Sequence, residues 1–74
     1  MFEKVRNVIV DTLNCEISDI TPEARLAEDL DIDSLDAVEM AMALEEALKV
    51  TIPDDVLADL KTVGDLVTYL ENNA

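Results

Sequence analysis

Turn-forming residues are scarce in this sequence, which holds one glycine (Gly64) and two prolines (Pro22 and Pro53) among its 74 residues. Because glycine and proline punctuate the turns of β folds, their scarcity favours helices over a turn-rich β structure. Half of the residues are apolar, yet the aromatic ones are only Phe2 and Tyr69. The sequence therefore predicts a small helical domain with an aliphatic core.

The net charge of the chain is −13, from 18 acidic and 5 basic side chains. Binding to phosphate groups requires Lys and Arg to displace counterions, so this charge disfavours nucleic acid and anionic membranes as partners. It attracts basic proteins and speeds their association. The charge can also serve solubility alone, and a DNA-mimicking inhibitor is a further acidic class, so the placement of the charges has to decide.

The sequence offers little for catalysis. It contains no histidine, so neither a Ser–His nor a Cys–His pair can form. Its single cysteine, Cys15, cannot form an internal disulfide, and we favour a partly buried structural thiol over a redox or catalytic one. No signal peptide or long apolar segment is visible, so we expect a reduced cytoplasmic setting without stable membrane insertion. We also expect the protein to be a monomer and not an enzyme.

Apolar periodicity predicts an all-α fold, a small bundle of three main helices plus one short helix, with a long ordered loop between helices one and two. In chain order, the predicted elements are a helix from Phe2 to about Asn14, the loop from Glu16 to Asp33, a helix from Ser34 to about Leu48, a short helix from about Asp54 to Asp59, and a helix that opens at Thr62. The expected core anchors of the loop are Ile17, Ile20 and Leu26.

The second helix carries apolar residues on two sides. At about 100° per residue, its core side holds Ala37, Met40, Ala41, Leu44 and Leu48. The other side holds three apolar residues within a ring of acids, namely Leu35, Val38 and Met42 with Asp36, Glu39, Glu45 and Glu46. A bundle this small cannot bury both sides, so the second side either lies exposed or binds a partner through its apolar centre and acidic rim.

Two helix starts carry capping signals. Asp33 is the expected N-cap of the second helix, and Thr62 with Asp65 forms the expected capping box of the last one. A phosphodiester attached to Ser34 would lie near free helix N–H groups and the favourable end of the helix dipole. A serine at a helix start is more often a cap, so these residues by themselves support an acidic helical binding module.

A longer motif surrounds Ser34. The run Asp33-Ser34-Leu35-Asp36, followed by Ala37-Val38-Glu39-Met40, resembles the D-S-L-D-x-V-E signature of the acyl carrier proteins of fatty-acid synthesis. Further matches follow the family order over the whole chain, in Leu26-Ala27-Glu28-Asp29-Leu30, Ala43-Leu44-Glu45-Glu46, Ile52-Pro53-Asp54 and Thr62-Val63-Gly64-Asp65 with Tyr69. A bare D-S-L is weak evidence for this family, because it occurs by chance in many proteins. The complete set of matches in a short acidic chain is specific evidence for it.

The resemblance implies a free-standing, single acyl-carrier domain over residues 1–74. A phosphopantetheinyl transferase with magnesium would move phosphopantetheine from coenzyme A to Ser34, and the thiol of this arm would carry acyl thioesters to the enzymes of fatty-acid biosynthesis. Basic patches on these partners would contact Asp33, Leu35, Asp36, Val38, Glu39, Met42, Glu45 and Glu46. The acyl chain would fold into the bundle against Leu44, Ile52, Leu57, Leu60, Leu66 and Tyr69, each of which can equally be plain core.

The sequence departs from the family pattern at two places. Asp31-Ile32 stands where the family usually has Gly-Ala, which predicts an altered loop backbone at the entry to the helix. Val56 and Leu57 make the short helix more apolar than usual, which predicts a reshaped acyl pocket.

A calcium-binding module is the alternative from another class. Asp29, Asp31 and Asp33 have the spacing of the first three ligands of an EF-hand loop. The sixth position, which favours glycine, is Ser34, and the twelfth, which needs glutamate, is Met40. The sequence therefore lacks two features that an EF-hand loop requires, the glycine at position six and the glutamate at position twelve.

Other carriers share the serine and the bundle. Peptidyl carriers usually lack the acid after the leucine, so Asp36 favours the acyl type over a peptidyl or D-alanyl carrier. A domain of a polyketide synthase remains an alternative interpretation, although a start at Met1 and the lack of linker tails favour a free-standing chain.

Overall fold

The computed structural model describes residues 1–73, which contain helices and no β-strand. In chain order the elements are α1 (Phe2–Leu13), a 3₁₀ turn (Ile17–Asp19), α2 (Ser34–Leu48), α3 (Asp54–Asp59) and α4 (Val63–Asn73). The predicted all-α fold with three main helices and one short helix is confirmed, and α2 and α3 have the predicted bounds. Ala74, the last residue of the predicted domain, lies outside the described residues.

The core is aliphatic and draws on α1, α2, α4 and the long loop. No polar or charged residue among those described is buried. The buried residues of the helices are Val5 and Ile9 in α1, Met40, Ala41 and Leu44 in α2, and Val63, Leu66, Val67 and Leu70 in α4. Full burial of one Val, Ile, Leu or Met side chain stabilises the fold by about 1.5–3 kcal/mol, so the inner faces of the helices hold the bundle together.

The long loop is anchored at two of the three predicted residues. Ile20 and Leu26 are buried as expected, but the prediction for Ile17 is wrong, because its side chain is 53% exposed. Ile17 begins the 3₁₀ turn, in which the Ile20 N–H donates to the Ile17 carbonyl at 3.2 Å, and the chain enters the core only at Ile20. Ile32, which was not predicted as core, is buried near the end of the loop.

Backbone hydrogen bonds join the loop to the start of α4. The Val63 N–H donates to the carbonyl of Ala24 at 3.0 Å, and the Gly64 N–H donates to the carbonyl of Pro22 at 2.8 Å. A Cβ on Gly64 would come within 2.9 Å of the same Pro22 oxygen, closer than real Cβ atoms approach. Glycine is therefore required here because two backbone segments meet at contact distance.

The capping predictions are confirmed at both helix starts. The Asp33 carboxylate accepts from the backbone N–H of Asp36 at 2.8 Å at the start of α2. At α4 the Asp65 N–H donates to Thr62 Oγ1 at 3.1 Å, and the Thr62 N–H donates to Asp65 Oδ2 at 3.3 Å. Thr62 precedes α4 as part of its cap, so the helix itself begins one residue later than predicted.

Within residues 1–73, every helix is too short or too polar to cross a membrane.

Candidate functional site

Ser34 is the first residue of α2, and its side chain is exposed. The cap of this helix is the neighbouring Asp33, whose carboxylate is bonded to the Asp36 N–H. No hydrogen bond of the Ser34 hydroxyl occurs among the described residues. The capping function that serine usually has at a helix start therefore belongs to Asp33, and the Ser34 hydroxyl faces solvent.

The loop that leads to Ser34 passes through a left-handed residue. Asp31 has a φ of 55°, in the region that glycine enters most readily and that aspartate tolerates through its short polar side chain. Asp31 thus keeps a backbone conformation suited to the glycine usual in the family pattern. After this residue the chain enters α2 as predicted, with Asp33 as the cap and Ser34 as the first helical residue.

An open cleft of about 320 Å³ lies beside Ser34. Its walls come from the loop, the first turn of α2, and the segment around the end of α3. The lining residues are Arg25, Leu26, Ala27, Glu28, Ile32, Asp33, Ser34, Ala37, Leu57, Ala58, Leu60 and Lys61. This volume is at the lower end of the range of about 300–1,000 Å³ for small-molecule sites.

The α2 outer face is formed by Leu35, Val38 and Met42 with their acidic neighbours, and its three apolar side chains are exposed. Leu35 is 68%, Val38 44% and Met42 62% exposed. The ion pairs found in residues 1–73 join Arg25 to Glu28 at 2.8 Å and to Asp29 at 3.7 Å, so no acid of the α2 outer face belongs to one of them. An apolar strip with unpaired acids around it has the composition of a surface for a basic partner.

Comparison with known proteins decides what kind of helical module this is. The family model described as "Phosphopantetheine attachment site" matches residues 3–70. A curated relative from Helicobacter hepaticus named "Acyl carrier protein" is 47% identical over 72 residues, covering 97% of this chain and 95% of the relative. The chain belongs to the acyl carrier protein family.

Two further acyl carrier proteins show the same extent of similarity. One from Helicobacter pylori is 45% identical over 73 residues, covering 99% of this chain and 94% of the relative. One from Porphyromonas gingivalis is 46% identical over 71 residues, covering 96% of this chain and 91% of the relative. The cofactor of this carrier family is phosphopantetheine. The exposed Ser34 hydroxyl and the open cleft beside it fit such a group in chemistry and in space.

The six residues predicted for the acyl pocket of the carrier lie in three different environments. Leu57 and Leu60 line the cleft beside Ser34 and are partly buried. Leu44, Ile52 and Leu66 are buried in the core and are not part of the cleft wall. The sixth residue, Tyr69, is half-buried, and its hydroxyl donates to the carbonyl of Thr51 at 3.4 Å.

Glu45 differs from Asp36, Glu39 and Glu46, the other acids of the α2 outer face of the carrier. Its carboxylate is half-buried and accepts from the backbone N–H of Ile52 at 2.7 Å, which ties the end of α2 to the segment before α3. Glu39 and Glu46 are exposed, and Asp36 is half-buried. Glu45 thus has a structural bond that its neighbours lack.

Two of the three aspartates in the EF-hand alternative have other contacts. Asp33 caps α2, and Asp29 accepts from the Arg25 N–H at 2.8 Å while pairing with its guanidinium. Met40, at the position of the bidentate glutamate, is fully buried. Across residues 1–73 no group of three or more acidic, cysteine or histidine side chains is placed to hold a metal ion. The geometry is not that of an EF-hand.

Cys15 is a half-buried free thiol between α1 and the 3₁₀ turn. Burial raises the pKa of the Cys15 thiol, and the negative charges of Asp19 and Asp36 raise it further. The thiol is therefore protonated at neutral pH and is a poor nucleophile. These surroundings agree with the structural role expected from the sequence.

Sequence reasoning missed several residues around Ser34. Arg25, Ala27, Glu28, Ala58 and Lys61 line the cleft but were not predicted as site residues. They come from segments far from Ser34 in sequence or from the irregular loop, where helical periodicity gives no signal. A clue was available for Ala27 and Glu28, which belong to the run before the motif that matches the family.

Proposed function

We propose that Ser34 is the phosphopantetheine attachment site and that the chain carries acyl groups, as thioesters on this arm, among the enzymes of fatty-acid synthesis. The observation that carries the proposal is that Asp33, rather than Ser34, caps α2. The serine of the family motif is thereby left exposed, without a hydrogen-bond partner among the described residues, at the edge of a cleft.

The attachment is a phosphoryl transfer in which Ser34 Oγ is the nucleophile. A bond forms between Oγ and the phosphorus that bears pantetheine, the pyrophosphate bond of coenzyme A breaks, and adenosine bisphosphate leaves. The hydroxyl proton passes to a base of the transferase. No histidine is present in this chain to activate the serine, so the transferase and its magnesium supply the catalysis.

Partner enzymes with basic patches dock on the α2 outer face in this proposal. Support comes from the exposure of Leu35, Val38 and Met42 and from the acids around them, which are outside the ion pairs found in residues 1–73. Asp33 also serves as a cap and Glu45 as a loop anchor, so Asp36, Glu39 and Glu46 are the acids most available to a partner.

The cleft beside Ser34 is the proposed entrance for the acyl chain. Leu57 and Leu60 line it and would meet the chain first. Leu44, Ile52 and Leu66 lie in the packed core, so a chain can contact them only if the helices separate. A reduced cytoplasmic setting completes the proposal, since both the arm and Cys15 then remain thiols.

Intact mass after incubation with coenzyme A and a phosphopantetheinyl transferase tests the attachment. The chain has two serines, so Ser18→Ala is a matched control for Ser34→Ala. The wild type and the Ser18 variant should gain the mass of one arm, and the Ser34 variant none. Helix content of the Ser34 variant should be unchanged, because Asp33 retains the cap. An arm on Ser34→Ala, or no arm on the wild type, overturns the proposal.

A further inference from the structure

Two basic residues line the cleft beside Ser34. The chain has five Lys and Arg residues in all, and Arg25 and Lys61 are both in the cleft wall. The wall also holds two acids, Glu28 and Asp33, so the cleft balances cations with anions in a protein whose net charge is −13.

The backbone holds Lys61 close to the start of α2. The Leu26 N–H donates to the Lys61 carbonyl at 2.9 Å, and the Ile32 N–H donates to the Leu26 carbonyl at 3.0 Å. The Lys61 N–H in turn donates to Asp65 Oδ2 at 3.2 Å. Two hydrogen bonds therefore lead from Lys61 to the residue two positions before Ser34, and the position of Lys61 at the cleft is fixed by the fold.

Lys61 is the more available of the two cations. The Arg25 guanidinium contacts Glu28 at 2.8 Å and Asp29 at 3.7 Å, so an added anion would compete with two carboxylates. Lys61 is exposed and takes part in none of the ion pairs found in residues 1–73. A lysine ammonium on its flexible stem binds phosphate as a point charge and does not need the planar geometry of a guanidinium.

A positive charge at this place would stabilise an attached arm. Its phosphodiester adds a negative charge at the first turn of α2, where Asp33 and Asp36 already lie and Asp31 is close in sequence. Like charges repel most strongly at short distance, and a nearby cation offsets that repulsion. Lys61 is the available cation of the cleft wall.

We propose that the ammonium group of Lys61 binds the phosphate that joins the arm to Ser34. The contact directs the arm along the cleft, past Leu57 and Leu60, and away from the α2 outer face. This inference rests on the proposed attachment at Ser34. Lys61 is thus a positioning residue for the arm and has no part in the attachment chemistry.

Phosphorus NMR of the loaded protein tests the contact directly, because the arm supplies the only phosphorus. The proteins to compare are the wild type, Lys61→Gln, Lys61→Arg and Lys4→Gln, all loaded with the unacylated arm. Lys4 is exposed on α1 and does not line the cleft, so its variant matches the loss of one charge without touching the site. Spectra are recorded from about 0.01 to 1 M sodium chloride, over which the Debye length falls from about 30 to 3 Å.

The wild-type phosphorus resonance should shift with salt as the ion pair is screened. Lys61→Gln should remove this shift, Lys61→Arg should retain most of it, and Lys4→Gln should behave as the wild type. In the unsubstituted protein, the Lys61 CεH₂ signals should also move between the unloaded and loaded forms. Equal salt responses in the wild type and Lys61→Gln, or unmoved Lys61 signals on loading, overturn the inference.

Intact mass and circular dichroism are measured first on every sample. If the wild type accepts no arm, the proposed function fails before the contact is tested. If all four proteins are loaded and folded but share one phosphorus response, the Lys61 contact alone fails and the attachment at Ser34 stands.

Discussion

The backbone of Gly64 meets the backbone of Pro22, with the N–H of the first bonded to the carbonyl oxygen of the second at 2.8 Å. A Cβ on Gly64 would lie 2.9 Å from that oxygen. We expect Gly64→Ala to destabilise the protein by about 1–2 kcal/mol, because overpacking costs about 1–3 kcal/mol and removal of a helical glycine offsets up to about 1. Urea unfolding measures this, with Thr68→Ala at an exposed position of α4 as the control. Equal stability of the two variants would contradict the packing argument.

Asp31 holds a left-handed backbone conformation, with a φ of 55°. Asp31→Gly should stabilise the protein by about 0.5–1 kcal/mol, since the left-handed region disfavours residues with a Cβ and aspartate only partly escapes this. Asp31→Asn removes the same negative charge but keeps a Cβ, so it separates charge from conformation. Thermal or urea unfolding of both variants decides, and an asparagine variant more stable than the glycine variant would refute the conformational explanation.

Charge reversal on the α2 outer face should slow partner enzymes. Glu39→Lys is expected to lower kcat/KM for the loaded carrier on the order of 10-fold at low salt, because complementary charge accelerates encounter. The reversal should also weaken the salt dependence of the rate. Glu71→Lys, in the exposed end of α4, is the matched control and should change little. If both reversals act equally, net charge matters and the α2 outer face has no special role.

Glu45 and Glu46 are neighbours in sequence with different contacts. Glu45 accepts from the Ile52 N–H at 2.7 Å, while Glu46 is exposed. Glu45→Ala should destabilise the protein by about 1–2 kcal/mol, because it leaves a part-buried N–H without its charged acceptor. Glu46→Ala should have little effect on stability. The two free energies of unfolding are compared in urea, and similar values would show that the Glu45 bond contributes nothing.

Cys15 should be slow to react with iodoacetamide in the native state at neutral pH. Burial and the charges of Asp19 and Asp36 raise the pKa of the thiol, so little thiolate is present. The protonated Cys15 thiol therefore stabilises the folded state fully at a pH below the pKa that the thiol has in the unfolded chain. This contribution is lost as the pH rises through the higher pKa of the thiol in the folded state. Alkylation should accelerate in urea or at alkaline pH. A native rate at neutral pH equal to the rate in urea would contradict this environment.

Local signals in the sequence determined the helices and the position of the candidate serine. The bounds of α2 and α3, the Asp33 cap and the Thr62–Asp65 box all agree with prediction. These features depend on hydrogen bonds and side-chain spacing within three or four residues, so they can be read without knowledge of the fold. The motif around Ser34 is equally local, and the family that it resembles is the one to which the chain belongs.

Only the tertiary structure decided what surrounds that serine. Ile17 has the large apolar side chain of a core residue but is exposed, because the 3₁₀ turn places it outside the bundle. The Glu45–Ile52 hydrogen bond joins α2 to the segment before α3. Lys61 likewise reaches the cleft only because the segment after α3 packs beside the loop and α2. Helical periodicity says which residues share a face but not which distant segment that face meets. The residues beside Ser34 are therefore set by how the loop packs against α3 and α4, an arrangement that arises only when the whole chain folds.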